Sequence, residues 1–145
     1  MRELQIPNNI FEQILKQAKA EAPIEACGIL AGKDGEVEKL YKMTNADQSS
    51  DHFMMEPKEQ FKVVKDIRSA GLEMLAIYHS HPESPARPSA EDIRLAVTPD
   101  VAYVIVSLQD TEPAVKGFLI EDGDPLSKQE TNVTEVSVKI VGKDE

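Results

Sequence analysis

Apolar side chains recur along the first third of this chain in two rhythms, and each rhythm predicts a kind of element. Ile10, Phe11, Ile14, Leu15 and Ala18 return at helical spacing, with Lys16, Lys19 and Glu21 on the other side. Pro7-Asn8-Asn9 leads into this helix, and Pro23 ends it because the residue before a proline is pushed out of the helical region. Ile24 to Gly32 is a mostly small, apolar run that reads as a buried strand, with a single acid, Glu25, near its start. Lys33-Asp34-Gly35-Glu36 carries hairpin chemistry, and Val37 to Met43 returns with alternating polarity as a strand exposed on one face. Thr44 to Asp51 is a polar loop.

Pro57 suits the first turn of a second helix, where its missing N–H costs nothing; Phe61, Val64 and Ile67 form the stripe this helix would bury, with Gly71 as its C-cap. Met74 to Tyr78 is apolar on both faces, Leu75 and Ile77 against Met74, Ala76 and Tyr78, as expected of a central strand. A short helix from Ser89 to about Val97 is stopped by Thr98-Pro99-Asp100. Val101 to Leu108 and Ala114 to Ile120 read as strands on either side of an Asp110–Pro113 turn. The Val/Thr/Ile alternation from Thr131 to Val141 predicts a final edge strand, with a charged, frayed tail from about residue 141. This mixed order predicts an α/β (mixed α+β) fold, one domain over residues 1–145 with helices packed on a central mixed sheet.

The chain is long enough for one domain that buries about two-thirds of its unfolded surface without staples. A net charge of −10 argues against a nucleic-acid partner, since phosphate contacts need a basic stripe. No apolar run approaches the roughly 20 residues of a bilayer span, so no membrane partner is expected. The N-terminus lacks a signal peptide's apolar core, and the single Cys27 cannot form an internal disulfide; a cytoplasmic location is the expectation. Oligomeric state is not legible.

The candidate chemistry lies where the central strand ends. His79 and His81 share one face of that strand, with Cα atoms roughly 6–7 Å apart, so two imidazoles can lean onto one ion. Pro82 favours ending the strand there, and Asp92, in the first turn of the helix opened by Ser89, could swing back toward the pair. Two nitrogens and one carboxylate leave a fourth position open, as catalytic zinc sites do. A plainer reading stands beside this one: Ser89-Ala90-Glu91-Asp92 is also a helix-capping signature. Economy favours the metal, since two of only three histidines fall on one face of the most convincing buried strand. Ser80 falls on the opposite face, suited to packing or a bond to a neighbouring strand. Cys27 reads as a small buried hydrophobe, and His52 as a solvated side chain in the polar loop.

An acid on an early strand, His-Ser-His, seven residues, Ser, two residues and Asp together resemble the JAMM (MPN-plus) zinc metalloprotease family, with no position missing: Glu25, His79-Ser80-His81, Ser89, Asp92. Glu25-Ala26-Cys27-Gly28, the Glu56-Pro57 helix and Thr98-Pro99-Asp100 look like its compact prokaryotic members, over roughly residues 1 to 120. The resemblance implies an MPN-like domain with one Zn²⁺ per chain at the end of a central strand, bound by His79, His81, Asp92 and a water. It also implies that Glu25 accepts the water's proton and passes it to the departing amine, while Ser89 hydrogen-bonds the oxyanion. The physics suits these roles: zinc lowers the pKa of its water to roughly 7, a placed carboxylate contributes a factor of roughly 10²–10⁴, and the net positive site would keep Glu25 ionised.

The substrates implied are ubiquitin-like or sulfur-carrier proteins, cut after a C-terminal Gly-Gly, whose extended tail would enter a β-augmentation groove. The short Thr44–Asp51 loop leaves little room for the insertions that grip ubiquitin, which disfavours ubiquitin itself. A rival class is a non-catalytic MPN-type interaction scaffold; members of that class have lost ligands that this chain retains. A zinc nucleobase deaminase would need Pro-Cys-x-x-Cys, which a lone Cys27 excludes. Whether the bond cut is a linear peptide or an isopeptide is left open.

Overall fold

Two hydrophobic sets that face opposite ways organise this chain, and both need the same sheet between them. The computed structural model describes residues 3–96, 98, 100–121 and 132–142. Seven strands and three helices alternate there: β1 (Glu3–Pro7), α1 (Asn8–Glu21), β2 (Cys27–Lys33), β3 (Glu36–Met43), α2 (Pro57–Ser69), β4 (Glu73–His81), α3 (Ala90–Leu95), β5 (Ala102–Ser107), β6 (Ala114–Glu121) and β7 (Asn132–Val141). The strands hydrogen-bond in the order β1-β3-β2-β4-β5-β6-β7, and β7 pairs back onto β1 to close the sheet. The sheet is mixed: β4–β5, β1–β3 and β1–β7 are parallel, and the other neighbours antiparallel. The β2–β3 turn has Asp34 and Gly35 both at positive φ, 52° and 78°, which matches the twist of the flanking strands.

One apolar cluster draws on all seven strands, with Leu4, Ile6, Leu30, Leu75, Tyr78, Val104 and Val136 among its members, and Ile10 and Ile14 of α1 join it. The other, built around Ile29, Ile77, Tyr103, Ile105 and Phe118, takes Ile67 from α2 and carries Ile93 of α3 against it. β4 is apolar on both faces because it separates these clusters. Buried Gln17 ties α1 to the sheet, accepting from the Tyr78 hydroxyl at 2.6 Å and donating to the Cys27 carbonyl at 3.0 Å.

Five details depart from the sequence reading. The expected final edge strand is not an edge, because residues 3–7 form a strand with buried Leu4 and Ile6 that pairs along its whole length. Glu25 precedes β2 rather than lying on it. Leu75 is the extra residue of a β-bulge, Leu30 facing Ala76 and Ala31 facing Met74, so Leu75 joins the α1 side and Met74 the α2 side. Phe61 is 67 % exposed with the Lys65 ammonium over its ring, and α2 buries Ile67 with Val63 instead. The third helix ends at Leu95; its expected end at Val97 and the frayed tail at 143–145 lie outside the described residues. Among the described residues, no helix is long and apolar enough to cross a membrane.

Candidate metal centre

Register brings the candidate ligands together. Cys27 of β2 and Ile105 of β5 flank His79, and His81 stands two residues further on the same face, beside Ser107. The two Nε2 atoms are 3.1 Å apart; Asp92 places Oδ1 3.2 Å from Nε2 of His79 and Oδ2 2.9 Å from Nε2 of His81. All three side chains are buried. A tetrahedral ion with donors at roughly 2.0–2.1 Å holds them roughly 3.3–3.4 Å apart, close to this spacing.

The ring of His81 is set by its far nitrogen. The Pro85 carbonyl, 2.8 Å away, can only accept, so Nδ1 carries the hydrogen and Nε2 of the neutral ring presents its lone pair to the cluster. Asp92 is aimed by the helix start: Ser89 N–H donates to its Oδ2 and Asp92 N–H donates to Ser89 Oγ, both at 3.0 Å. Cap and cluster are thus one device, since the bond that starts the helix orients the carboxylate. Burial opposes ionisation of Asp92, but its bonds to His79 and His81 hold its carboxyl far below the usual carboxylate range. Burial pushes His79 down, toward the neutral form that binds metals; His81 is raised, its bonds to Asp92 and Pro85 outweighing burial. The Phe53 ring stacks on His79 with centroids 4.7 Å apart. His79 Nδ1 finds no partner among the described residues.

Glu25 lies on the residues leading into β2, close enough to the cluster to feel the charges of His81 and Asp92. Its side chain is buried, its Oε1 has no partner among the described residues, and burial pushes its carboxyl up to about 8, against the attraction of His81. A divalent cation on the trio would pull it back down. Ser89 is exposed; its oxygen accepts from Asp92 N–H, which leaves the hydroxyl hydrogen to donate elsewhere. Ser80 does face away, its Oγ accepting from Ala26 N–H at 2.8 Å. Cys27 is fully buried in the α2-side cluster, and burial pushes its thiol up to about 12, so it is chemically quiet. His52 is less solvated than its sequence context suggests, with one ring nitrogen on Asp47 at 2.9 Å and the other on Asp51 at 3.0 Å. Phe53 is the residue that sequence reasoning misses, although Phe53-Met54-Met55 breaks an otherwise polar stretch. These residues line a cavity of about 260 Å³ with Ile77, Leu95 and Tyr103.

Residues 7–118 match the family of prokaryotic homologs of the JAB domain. The CysO-cysteine peptidase of Mycobacterium tuberculosis (strain H37Rv) is 35 % identical over 135 residues, covering 91 % of this chain and 92 % of that protein. A probable TtuB-protein conjugate cleaving protease of Thermus thermophilus is 34 % identical over 125 residues, 86 % of this chain and 80 % of that protein. The solution structure of a Desulfitobacterium hafniense protein superposes with a TM-score of 0.78 at 42 % identity, covering 95 % of this chain and 94 % of that one. With the His79–His81–Asp92 cluster lying in that fold, the chain belongs to the prokaryotic JAB branch of the JAMM hydrolases.

Proposed function

We propose that this protein is a cytoplasmic zinc peptidase that cuts the peptide or isopeptide bond after the C-terminal Gly-Gly of a sulfur-carrier or ubiquitin-like protein. The observation that carries this reading is the convergence of His79 Nε2, His81 Nε2 and the Asp92 carboxylate on one point, with the buried carboxyl of Glu25 close enough to feel the charges of His81 and Asp92. The substrate class is supported by relatives whose names specify CysO-cysteine and TtuB-protein conjugates. The scaffold reading loses ground, because those relatives are peptidases and every position of the motif is present.

His79, His81 and Asp92 would hold one Zn²⁺, in the protonation states that the Pro85 carbonyl and the capping bonds impose. When bound, the ion supplies Lewis acidity that activates water near neutral pH and polarises the scissile carbonyl. Glu25 accepts the proton of the attacking water at Oε1 and returns it to the departing amine. The Ser89 hydroxyl donates to the oxygen that gains charge. Phe53 excludes water from one side of His79, and the cavity beside it receives the substrate's tail in extended form.

The test is incubation of the zinc-loaded protein with carrier proteins extended by one residue beyond Gly-Gly, read by intact-mass spectrometry. Trimming that stops on adding EDTA and is lost in Glu25→Gln, which keeps its zinc, is the expected result. Substrates left intact after long incubation would refute the proposal.

A further inference from the structure

Glu25 lies outside the strand ladder, so something other than the sheet must hold its backbone, and the structure assigns that job to Asn45. We propose that Asn45 is a positioning residue: one buried amide fixes the backbone of Glu25 and, through two more of its five hydrogen bonds, the backbone of Phe53, whose ring covers His79. This rests on the peptidase reading and adds a residue to it.

The side chain of Asn45 is 3 % exposed. Its Nδ2 donates to the carbonyls of Glu25 and His52, each at 3.0 Å, and more distantly to that of Ser49 at 3.4 Å. Its Oδ1 accepts from the N–H groups of Asp47 at 3.2 Å and Met54 at 3.1 Å. The other peptide group of Glu25 goes to the same loop, its N–H donating to the Ser49 carbonyl at 2.9 Å. Both peptide groups flanking the Glu25 Cα are therefore bonded to one loop, and Asn45 is the side chain of that loop that bonds Glu25 directly. Phe53 sits between two of its bonds, His52 carbonyl and Met54 N–H, so both peptides flanking the Cα from which its ring reaches His79 are held. An ordinary turn-forming Asn makes one or two local bonds to its own loop. This one also reaches back 20 residues to the segment bearing the acid.

Asn45→Asp tests the assignment, because it keeps the shape and the Oδ1 acceptor but loses both N–H donors. With the zinc-loaded variant and a cleavable carrier, kcat is expected to fall about 10- to 100-fold, part of the roughly 10²–10⁴ a placed base supplies, while KM stays within about twofold. Zinc stoichiometry should match the parent. The backbone amides of Glu25, Ser49 and Met54 should shift in ¹⁵N-resolved spectra and exchange faster, while those of His79 and His81 keep their protection. If Asn45→Asp does not fold, Asn45→Ser is measured in the same way. An unchanged kcat, a loss wholly in KM, a loss of zinc, or unmoved Glu25 and Met54 amides would each overturn the assignment. If the parent protein cleaves no carrier, the peptidase reading fails on its own, and the amide shifts and exchange still decide whether Asn45 holds Glu25.

Discussion

Stripped of metal by EDTA, this fold should lose stability as pH rises through neutrality, and Glu25 should be the reason. Its carboxyl has an ordinary value of 4.5, and burial pushes it up to about 8 in the folded chain, with His81 opposing and Asp92 adding to the shift. Between those values the folded chain keeps a proton that the unfolded chain has released, so stability falls with pH; the contribution is complete below about pH 4.5 and gone above about pH 8. At about 1.36 kcal/mol per unit the gap sets a ceiling of about 5 kcal/mol, and local relaxation around the buried carboxyl trims it to roughly 2–4 kcal/mol. Urea unfolding at several pH values between about 5 and 8, in EDTA, on the parent and on Glu25→Gln, measures it. Gln is nearly isosteric and cannot ionise, so the stability difference between the two proteins should widen by roughly 2–4 kcal/mol across that range. Most of the titration of His79, His81 and Asp92 cancels in this difference. Saturating zinc should narrow it, because a cation stabilises the carboxylate. A difference that stays flat with pH in EDTA would show that Glu25 is not desolvated and would refute the reasoning.

Three further outcomes follow from particular contacts. Ser89→Gly should keep the α3 cap within a few tenths of a kcal/mol, since glycine is tolerated there, yet lower kcat by roughly 10²–10³ if the hydroxyl serves the oxyanion; thermal melts and steady-state kinetics separate the two roles. Gly28→Ala should destabilise the fold by roughly 2–4 kcal/mol in chemical unfolding, because its methyl would overlap the Tyr78 ring and dislodge the Tyr78–Gln17–Cys27 bonds that tie α1 to β2 and β4. His52 is raised by its bonds to Asp51 and Asp47, so by NMR it should titrate above its usual 6.5 and drop toward it in Asp47→Asn; the clasp these bonds form on the loop is complete below 6.5 and released as pH rises through the folded value.

The parts of the site that were legible in the sequence share one property: short-range rules place them. A strand's two-residue period puts His79 beside His81, and a capping box of fixed spacing aims Asp92, so the metal cluster is nearly written in residues 79–92. The helices and most strands follow from periodicity for the same reason. The failures lie where distant segments decide. Whether β7 is an edge depends on five residues at the other end of the chain, and which face Leu75 takes depends on a bulge against β2. Phe61 matched the helical spacing but faces out, because the sheet reaches only as far round α2 as Val63 and Ile67.

Glu25 is the instructive case, because its neighbours in sequence say nothing of a site. Only the family resemblance singled it out, and 54 positions separate it from His79. What brings it there is the pairing of Cys27 with His79 two residues on, together with a loop whose bonds end on the acid's own backbone. A base held in this way can be re-aimed by altering the loop while the metal ligands stay untouched, since none of the Asn45 bonds reaches His79, His81 or Asp92. Substitutions at Asn45 and residues 47–51 of the loop, which leave the Phe53 ring in place, should therefore alter turnover without altering zinc affinity, whereas substitutions in the 85–89 segment, which bonds both His81 and Asp92, should alter both together. That separation follows from where each segment's hydrogen bonds end, the loop's on the backbone of Glu25 and the other segment's on the side chains of His81 and Asp92.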